Sequence, residues 1–343
     1  MAYKDVLDDV IKCIRLEKPG RMPAIALSEE FDVGQAGITY EEYSCDAGKV
    51  AQVHIKALHE RDFDWACVYI DDCIEFEPLG VKTTGMVNVP KSATRYVPAT
   101  RETFDLLRQP NPYCDGRMPV LTEAISKIRS EFGNSVMICG RTPAPFSAAS
   151  LLYGIEDAMC LMYDDPRLLQ DTMRFLVELE LGYARAQLAA GAHALWVGDC
   201  CASSRFISLS HFNKFVLDIT ASFISELKRL GAITIYFAAE KDTSYILAAA
   251  GLGADIIGVS ENADLAECLK VIQGRVCLMG NLDPINILQD GSPDDIRVEI
   301  KKISDNTSGC GGYLFNTGEG VTRDTHQENM RALADAIRSW NLL

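Results

Sequence analysis

The chain has 343 residues, 48% of them hydrophobic and 24% charged, which is enough for one large α/β domain or two ordinary ones. Its formal net charge of −15 disfavours nucleic acid and anionic membranes as partners. No apolar run approaches the roughly 20 residues of a membrane span, and residues 1–20 lack the pattern of a signal peptide. We therefore expect a cytoplasmic protein whose cysteines are mostly buried, reduced thiols.

Short apolar segments alternate with helical ones along the whole chain. The apolar segments are typical of strands buried on both faces, because few of their positions alternate with polar residues. Eight such strands are predicted, at 22–27, 65–70, 135–139, 193–197, 232–237, 255–259, 276–279 and 312–316. Helices are predicted at 2–18, 46–61, 121–132, 148–163, 167–190, 208–230, 242–251, 262–273, 293–304 and 325–339.

The clearest supersecondary unit spans residues 253–284, where two apolar runs flank a helix that Gly274 ends. Such a βαβ unit places its strands parallel in one sheet. Repeated eight times, it predicts an α/β fold, a (β/α)8 TIM barrel with an N-terminal helical extension, formed by a single domain over 1–343. An open doubly wound sheet is the structural alternative. The irregular segment 76–118 is expected to cover or flank a site.

In a barrel of this kind the site lies where the strands end. The polar residues at those ends are rich in carboxylates and include no histidine, so acid–base chemistry would fall to carboxylates or a tyrosine. No Walker loop, HExxH or dinucleotide-binding glycine motif is present. The candidates are Asp71, Asp72, Arg141, Asp199, Cys200, Cys201, Tyr236, Glu240, Glu261, Asn281, Asp283 and Glu319.

Three blocks of sequence resemble the uroporphyrinogen decarboxylase superfamily. They are the GADIIG run at 253–258, the GNLDP run at 280–284, and the FNTGEGV run at 315–321. The EFEPLG run at 75–80 is similar to the corrinoid-dependent methyltransferase branch, which includes methylcobalamin:coenzyme M methyltransferase. The family's (β/α)8 barrel agrees with the strand count reached independently. True decarboxylases carry an early Arg-rich segment, whereas residues 23–32 here are PAIALSEEFD and contain no arginine.

The resemblance implies a methyltransferase that moves a methyl group between a small methylated substrate and the cobalt of a methylcorrinoid carried by a separate corrinoid protein. Under this hypothesis Glu319, Tyr236 and Asp199 are catalytic. The substrate-binding candidates are Asp71, Asn281, Glu240, Arg141 and Cys201. The substrate itself, whether a methoxylated aromatic, a methylamine or a thiol, stays open.

Zinc is the cofactor that the sequence leaves undecided. The methyltransferases typically hold it with a His-x-Cys pair and a further Cys, but Tyr236, Ala238 and Glu319 stand at the matching positions. Only substituted ligands such as Glu319, Glu240 and Cys201 would remain, and these bind zinc less tightly than thiolates. Two alternatives remain: a metal-independent decarboxylase acting on a different substrate, and a non-catalytic binding protein.

Overall fold

The computed structural model describes residues 5–308 and 310–340. Its strands are β1 (Trp65–Cys67), β2 (Lys82–Thr84), β3 (Ser92–Arg95), β4 (Met137–Pro143), β5 (Ala194–Gly198), β6 (Ile233–Phe237), β7 (Ile256–Gly258), β8 (Cys277–Leu282) and β9 (Tyr313–Thr317). The main sheet has seven parallel strands in the order β1-β4-β5-β6-β7-β8-β9. The α/β, TIM-barrel-like fold predicted from sequence is confirmed. A short antiparallel hairpin, β2–β3, lies within the irregular segment.

Helices cover the outside of the sheet and begin and end at ordinary capping signals. The Asp46 carboxylate accepts from the Lys49 amide at the start of one helix, and Gly191 ends another in the left-handed region. The α-helices are Val6–Ile14, Glu29–Ala36, Tyr40–Tyr43, Ala47–Arg61, Arg101–Leu106, Met118–Phe132, Pro145–Tyr153, Ile155–Asp164, Pro166–Ala190, Leu209–His211, Leu217–Arg229, Thr243–Ala249, Leu265–Ile272, Pro293–Thr307 and Gln327–Arg338. Short 3-10 turns (Cys200–Ala202, Ala250–Leu252) and π-helical turns (Phe212–Val216, Pro284–Gln289) complete the set.

The predicted first strand, 22–27, is the one strand prediction that is wrong: the segment pairs in no regular ladder among the described residues. It still lies between the two edges of the sheet. The Ala24 carbonyl accepts from the Asp64 amide at 2.9 Å, next to β1, and the Leu27 carbonyl accepts from the Val321 amide at 2.7 Å, beyond β9. The Asp64 carboxylate also accepts from the Ala24 amide at 2.6 Å. Side-chain hydrogen bonds thus replace part of the ladder while the segment bridges the edges.

The core has an inner and an outer part. Inward-facing strand residues, among them Cys67, Cys139 and Cys277, are buried inside the sheet's curve. The N-terminal helix packs Val10 and Cys13 into this same cluster, so the predicted helical extension contributes to the inner core. The outer part lies between the sheet and the surrounding helices. No helix among residues 5–308 and 310–340 is long and apolar enough to cross a membrane.

Candidate functional site

A cavity of about 340 Å³ opens where the strands end. It is bounded by residues at or just beyond the carboxyl ends of β1, β4, β5, β6 and β9, which is where a barrel places its chemistry. Its walls are apolar and aromatic, with several carboxyl groups among them. The lining comprises Leu27, Glu29, Glu30, Cys67, Tyr69, Asp72, Arg141, Thr142, Pro143, Ser147, Leu151, Trp196, Gly198, Cys200, Cys201, Phe237, Glu319 and Gly320.

Glu319 projects from the loop that follows β9. Gly318 permits the approach, because a Cβ there would lie 2.6 Å from the Cα of Glu261. Burial, reinforced by the Glu261 carboxylate and opposed by Arg205, raises the pKa of Glu319 to about 7. Glu319 can therefore hold or release a proton at neutral pH.

Asp199 lies behind the cavity wall in a buried hydrogen-bonded network. Its carboxylate accepts from the Tyr236 hydroxyl at 2.9 Å and from the Ser147 hydroxyl at 2.8 Å. Burial raises the pKa of Asp199 to about 6, although both hydroxyls oppose the shift. The Ser147 hydroxyl, which does line the cavity, also accepts from the Cys201 amide at 3.2 Å. Asp199 and Tyr236 are therefore joined to the cavity through Ser147 rather than lining it themselves.

Arg141 lines the cavity, and its positive charge is already balanced by two carboxylates. Its guanidinium donates to Glu75 at 2.9 Å and to Asp72 at 3.3 Å, and it lies 5.8 Å from the centre of the Tyr69 ring. Burial alone would lower the pKa of Arg141, but the Glu75 and Asp72 carboxylates raise it, so the side chain stays charged. Among the described lining residues it is the only arginine or lysine.

Two carboxyl groups of the cavity lining, Glu29 and Glu30, come from the start of the helix Glu29–Ala36. Burial raises the pKa of Glu29 to about 8, and Glu30 at the rim is exposed. Sequence reasoning identified this segment as an acidic stretch that lacks arginine and would repel a polycarboxylate, but did not assign Glu29 or Glu30 to the site. Its position in the cavity could not be predicted because the segment before it was assigned to a regular strand. Glu29, Ser147 and Trp196 are cavity residues that sequence reasoning did not single out.

The Asp71 side chain forms hydrogen bonds that hold the segment following β1 in place. Its buried carboxylate accepts from Arg117 at 2.6 Å and 3.1 Å, and from the Cys73 amide at 2.9 Å. Arg117 also donates to Glu77 at 2.9 Å and 2.8 Å. This network ties both ends of the irregular segment to the end of β1, next to Asp72 on the cavity rim.

Glu240 and Asn281 also hold loops in place. The Glu240 carboxylate accepts from the Ser204 amide at 2.7 Å and hydroxyl at 2.9 Å, and from two further amides that follow it. The Asn281 amide donates to the carbonyls of Ser260 at 3.0 Å and Ala263 at 2.8 Å. Neither lines the large cavity, but Tyr236 and Glu240 share a small one of about 10 Å³. Of the eight residues predicted to be catalytic or substrate-binding, Glu319, Arg141 and Cys201 line the large cavity, as do Asp72 and Cys200, two strand-end candidates that were given no such role.

The side chains present do not fit a zinc ion. Glu240, one of the substituted ligands considered, has its oxygens occupied by hydrogen bonds from its own loop and from Ser204. Within residues 5–308 and 310–340, no three His, Cys, Asp or Glu side chains converge as a metal site. We therefore assign no ligand set for zinc.

Strands that end around one acidic and aromatic cavity define the chain as an α/β barrel with a small-molecule site at the mouth. The family model for uroporphyrinogen decarboxylase (URO-D) matches residues 6–340. The chain belongs to the uroporphyrinogen decarboxylase family, whose members are enzymes, as the resemblance in sequence predicted.

The individual relatives align with most of this chain but share low sequence identity with it. The chain is 24% identical to a uroporphyrinogen decarboxylase from Methylococcus capsulatus, covering 87% of this chain and 85% of that protein. A uroporphyrinogen decarboxylase from Geotalea daltonii is 27% identical over 84% and 83%. A methyltransferase from Methanosarcina mazei has the same fold, with a TM-score of 0.87 and 23% identity over 98% of both chains. At this identity the structural match establishes the fold alone.

Proposed function

We propose that the protein is the methyltransferase component of a corrinoid-dependent system. It would move a methyl group between a small methylated substrate and the cobalt of a corrinoid carried by a separate protein. The observation that carries the proposal is the charge of the cavity. Its one arginine is already paired with Glu75 and Asp72, and carboxyl groups dominate the polar lining. Such a site repels the polycarboxylate substrate of a uroporphyrinogen decarboxylase.

Glu319 is the proposed catalytic acid or base. Its pKa of about 7 lets it donate a proton to a departing atom or accept one from a nucleophile, depending on the direction of transfer. Cys201 and Arg141 would contact the substrate, since both line the cavity. Asp199 and Tyr236 would act through Ser147 as positioning residues.

The remaining candidates support the site from outside. Asp71 holds the segment beyond β1, Glu240 the loop beyond β6, and Asn281 the loop beyond β7. Their proposed role is to keep the cavity wall in shape for substrate binding. The exposed rim, where Glu30, Asp72 and Cys200 lie, is the proposed approach for the corrinoid protein.

A decarboxylase acting on a different substrate is the second candidate. Two observations favour it: curated relatives carry the name uroporphyrinogen decarboxylase, and the side chains do not fit the zinc site of the typical methyltransferases. The acidic cavity makes it the weaker candidate for any substrate with several carboxylates.

Methyl transfer is tested with purified protein and cobalamin followed by its absorption spectrum. Loss of the methylcobalamin spectrum with an acceptor, or its appearance from reduced cobalamin with a methyl donor, is the expected result. The Glu319→Gln variant should lose most of this activity, whereas Glu123→Gln, an exposed carboxylate on a distant helix, should retain it. No change with any donor or acceptor, together with carbon dioxide release from an organic acid, would establish the decarboxylase instead.

A further inference from the structure

We infer that the methylated substrate is an N-methylated cation, of the quaternary ammonium class, held between the aromatic wall and the carboxyl groups of the cavity. The inference rests on the proposed function and adds the chemical class of its substrate. It stands on three features of the cavity: the rings, the carboxyl groups without a cationic partner, and the volume.

The aromatic wall is formed by Trp196 and Phe237. They lie on neighbouring strands β5 and β6 with ring centres 4.9 Å apart, and both line the cavity. A third ring, Tyr69, already lies beside the Arg141 guanidinium. Adjacent indole and phenyl faces attract an alkylammonium group strongly when water is excluded.

Glu29 and Glu319, the carboxyl wall, form no salt bridge with a cationic side chain within the part of the chain that the structure describes, and Arg205 acts on Glu319 only at longer range. Glu29 and Glu319 make no hydrogen bond to another side chain among the bonds of the described residues, and both line the cavity. The single arginine of the lining is taken by Glu75 and Asp72. A bound cation would supply the missing positive charge, and its methyl groups would contact the apolar walls.

The size also suits this class. A cavity of about 340 Å³ accommodates a trimethylammonium compound of the size of choline or betaine. Under the proposed function the corrinoid would meet the substrate at the rim, where the cavity opens.

The chemical step balances without an added proton. The bond between the methyl carbon and nitrogen breaks, and its electron pair stays on nitrogen, which leaves as a neutral tertiary amine. The methyl carbon bonds to Co(I) of the partner's corrinoid, which supplies the electron pair and is oxidised to Co(III). The carboxylates attract the cation before transfer, and the released tertiary amine, a stronger base than a carboxylate, would take up a proton from Glu319 or from solvent as it leaves.

Binding should depend on pH because the two carboxyl groups must ionise to attract the cation. With pKa values of about 7 for Glu319 and about 8 for Glu29, affinity should rise between about pH 6 and 9. The charged or titratable groups that face these two are Glu261, Arg205, Cys200, Glu30, Asp32, Asp72, Tyr40, Tyr43, Cys67 and Tyr69. Of these, only Arg205 is cationic, and it lies exposed at the rim.

The test is calorimetric titration of the full chain with choline and with its neutral carbon isostere, in which a tert-butyl group replaces the trimethylammonium group. Choline should bind about tenfold or more tightly, and only its affinity should rise with pH. Glu29→Gln should remove much of that preference, as should Trp196→Leu, while Glu123→Gln should leave it unchanged. Equal affinity for the two ligands, or tighter binding of the isostere, overturns the inference.

Failure of the inference and failure of the proposed function are separable. Methyl transfer to cobalamin from a neutral or anionic donor, with no affinity for choline, would keep the function and reject the cationic substrate. Selective choline binding with no methyl transfer to or from cobalamin would keep the cation site and reject the methyltransferase.

Discussion

Glu319 combines a functional position with a cost to stability. Its pKa is raised from an ordinary value of 4.5 to about 7 in the folded chain, so the folded state holds its proton over a pH range in which the unfolded state has lost it. Stability contributed by this group is therefore present below about pH 4.5 and is lost as pH rises to about 7. Sites that bind ligands commonly carry such a penalty.

The Glu319→Gln variant should accordingly be more stable than the natural protein at pH 8. Allowing for partial exposure of the side chain, the gain should be about 2 kcal/mol at pH 8 and close to zero at pH 4. Urea denaturation at the two pH values measures it. A gain of equal size at both would mean that ionisation of Glu319 is not the cause.

Tyr236 should contribute to the stability of the protein through its hydrogen bond to Asp199. Tyr236→Phe removes one of the two hydroxyl donors to a buried carboxylate, which should cost about 2 kcal/mol at pH 8 and less at pH 5, where Asp199, with a pKa of about 6, is largely protonated. Tyr153→Phe is the matched control, because Tyr153 bonds only to the neutral Thr172 hydroxyl at 3.0 Å. Equal pH dependence in both variants would contradict the role of Asp199.

Elements differ in how far their sequences determine them. Strands such as β6, predicted at 232–237 and observed at Ile233–Phe237, carry their own signal because both faces are buried. β4 was predicted to end at Cys139 but continues to Pro143, since its pairing with β5 extends to Gly198. That extension depends on pairing with β5, more than fifty residues away in the chain, and a local sequence pattern cannot predict such pairing.

The site, too, is determined partly by local sequence and partly by contacts between distant elements. The rule that barrel sites lie at strand ends selected Glu319, Arg141 and Cys201, and these three line the cavity. It could not separate lining residues from supporting ones. Asp199 is joined to Ser147 across 52 positions and to Tyr236 across 37. Which of them faces the cavity is decided by packing between elements, not by sequence spacing.

The irregular segment 76–118 is held to the barrel at several points. It contains the β2–β3 hairpin and the helix Arg101–Leu106. The Val97 amide donates to the Leu152 carbonyl at 3.0 Å, and Arg101 pairs with Asp171 at 2.8 Å. Arg117 joins the end of the segment to the fully buried Asp71. This buried ion pair is one of several contacts, and it fixes the end of the segment to the stretch that follows β1.

Arg117→Ala should loosen the end of this segment that Arg117 ties to Asp71. Removal of one partner from a buried pair leaves Asp71 uncompensated, which should cost about 3 kcal/mol and speed limited proteolysis within 76–118. Arg174→Ala, which breaks an exposed pair with Asp171, should cost less than about 0.5 kcal/mol and change no cleavage. Unchanged proteolysis in Arg117→Ala would show that other contacts order the segment.

At the scale of the whole molecule, the barrel brings side chains from distant parts of the chain to one mouth. Residues from the segments near 29, 141, 196 and 319 meet at one cavity because the segment 22–27 bridges the edges of the sheet. If the partner is a corrinoid protein, as proposed, the strong negative charge of the chain, −15 overall, would favour one with a basic docking face.

The geometry of the site leads to a prediction about the zinc content of the whole protein. Because the Glu240 oxygens are occupied and no three ligand side chains converge within the part of the chain that the structure describes, we expect elemental analysis of purified protein to find zinc well below one equivalent. Methyl transfer should survive treatment with a chelator. Stoichiometric zinc that is lost in Glu319→Gln would show that substituted ligands form a site.

We propose that the acidic, aromatic cavity at the barrel mouth transfers methyl groups to or from cobalt. The most direct measurement follows the cobalt absorption of cobalamin mixed with the purified protein and a panel of methylated donors, with Glu319→Gln as the comparison. We expect a methyl-dependent change of the cobalt spectrum that the variant loses. A cobalt spectrum that stays constant with every donor and acceptor, while the protein decarboxylates an organic acid, would contradict it.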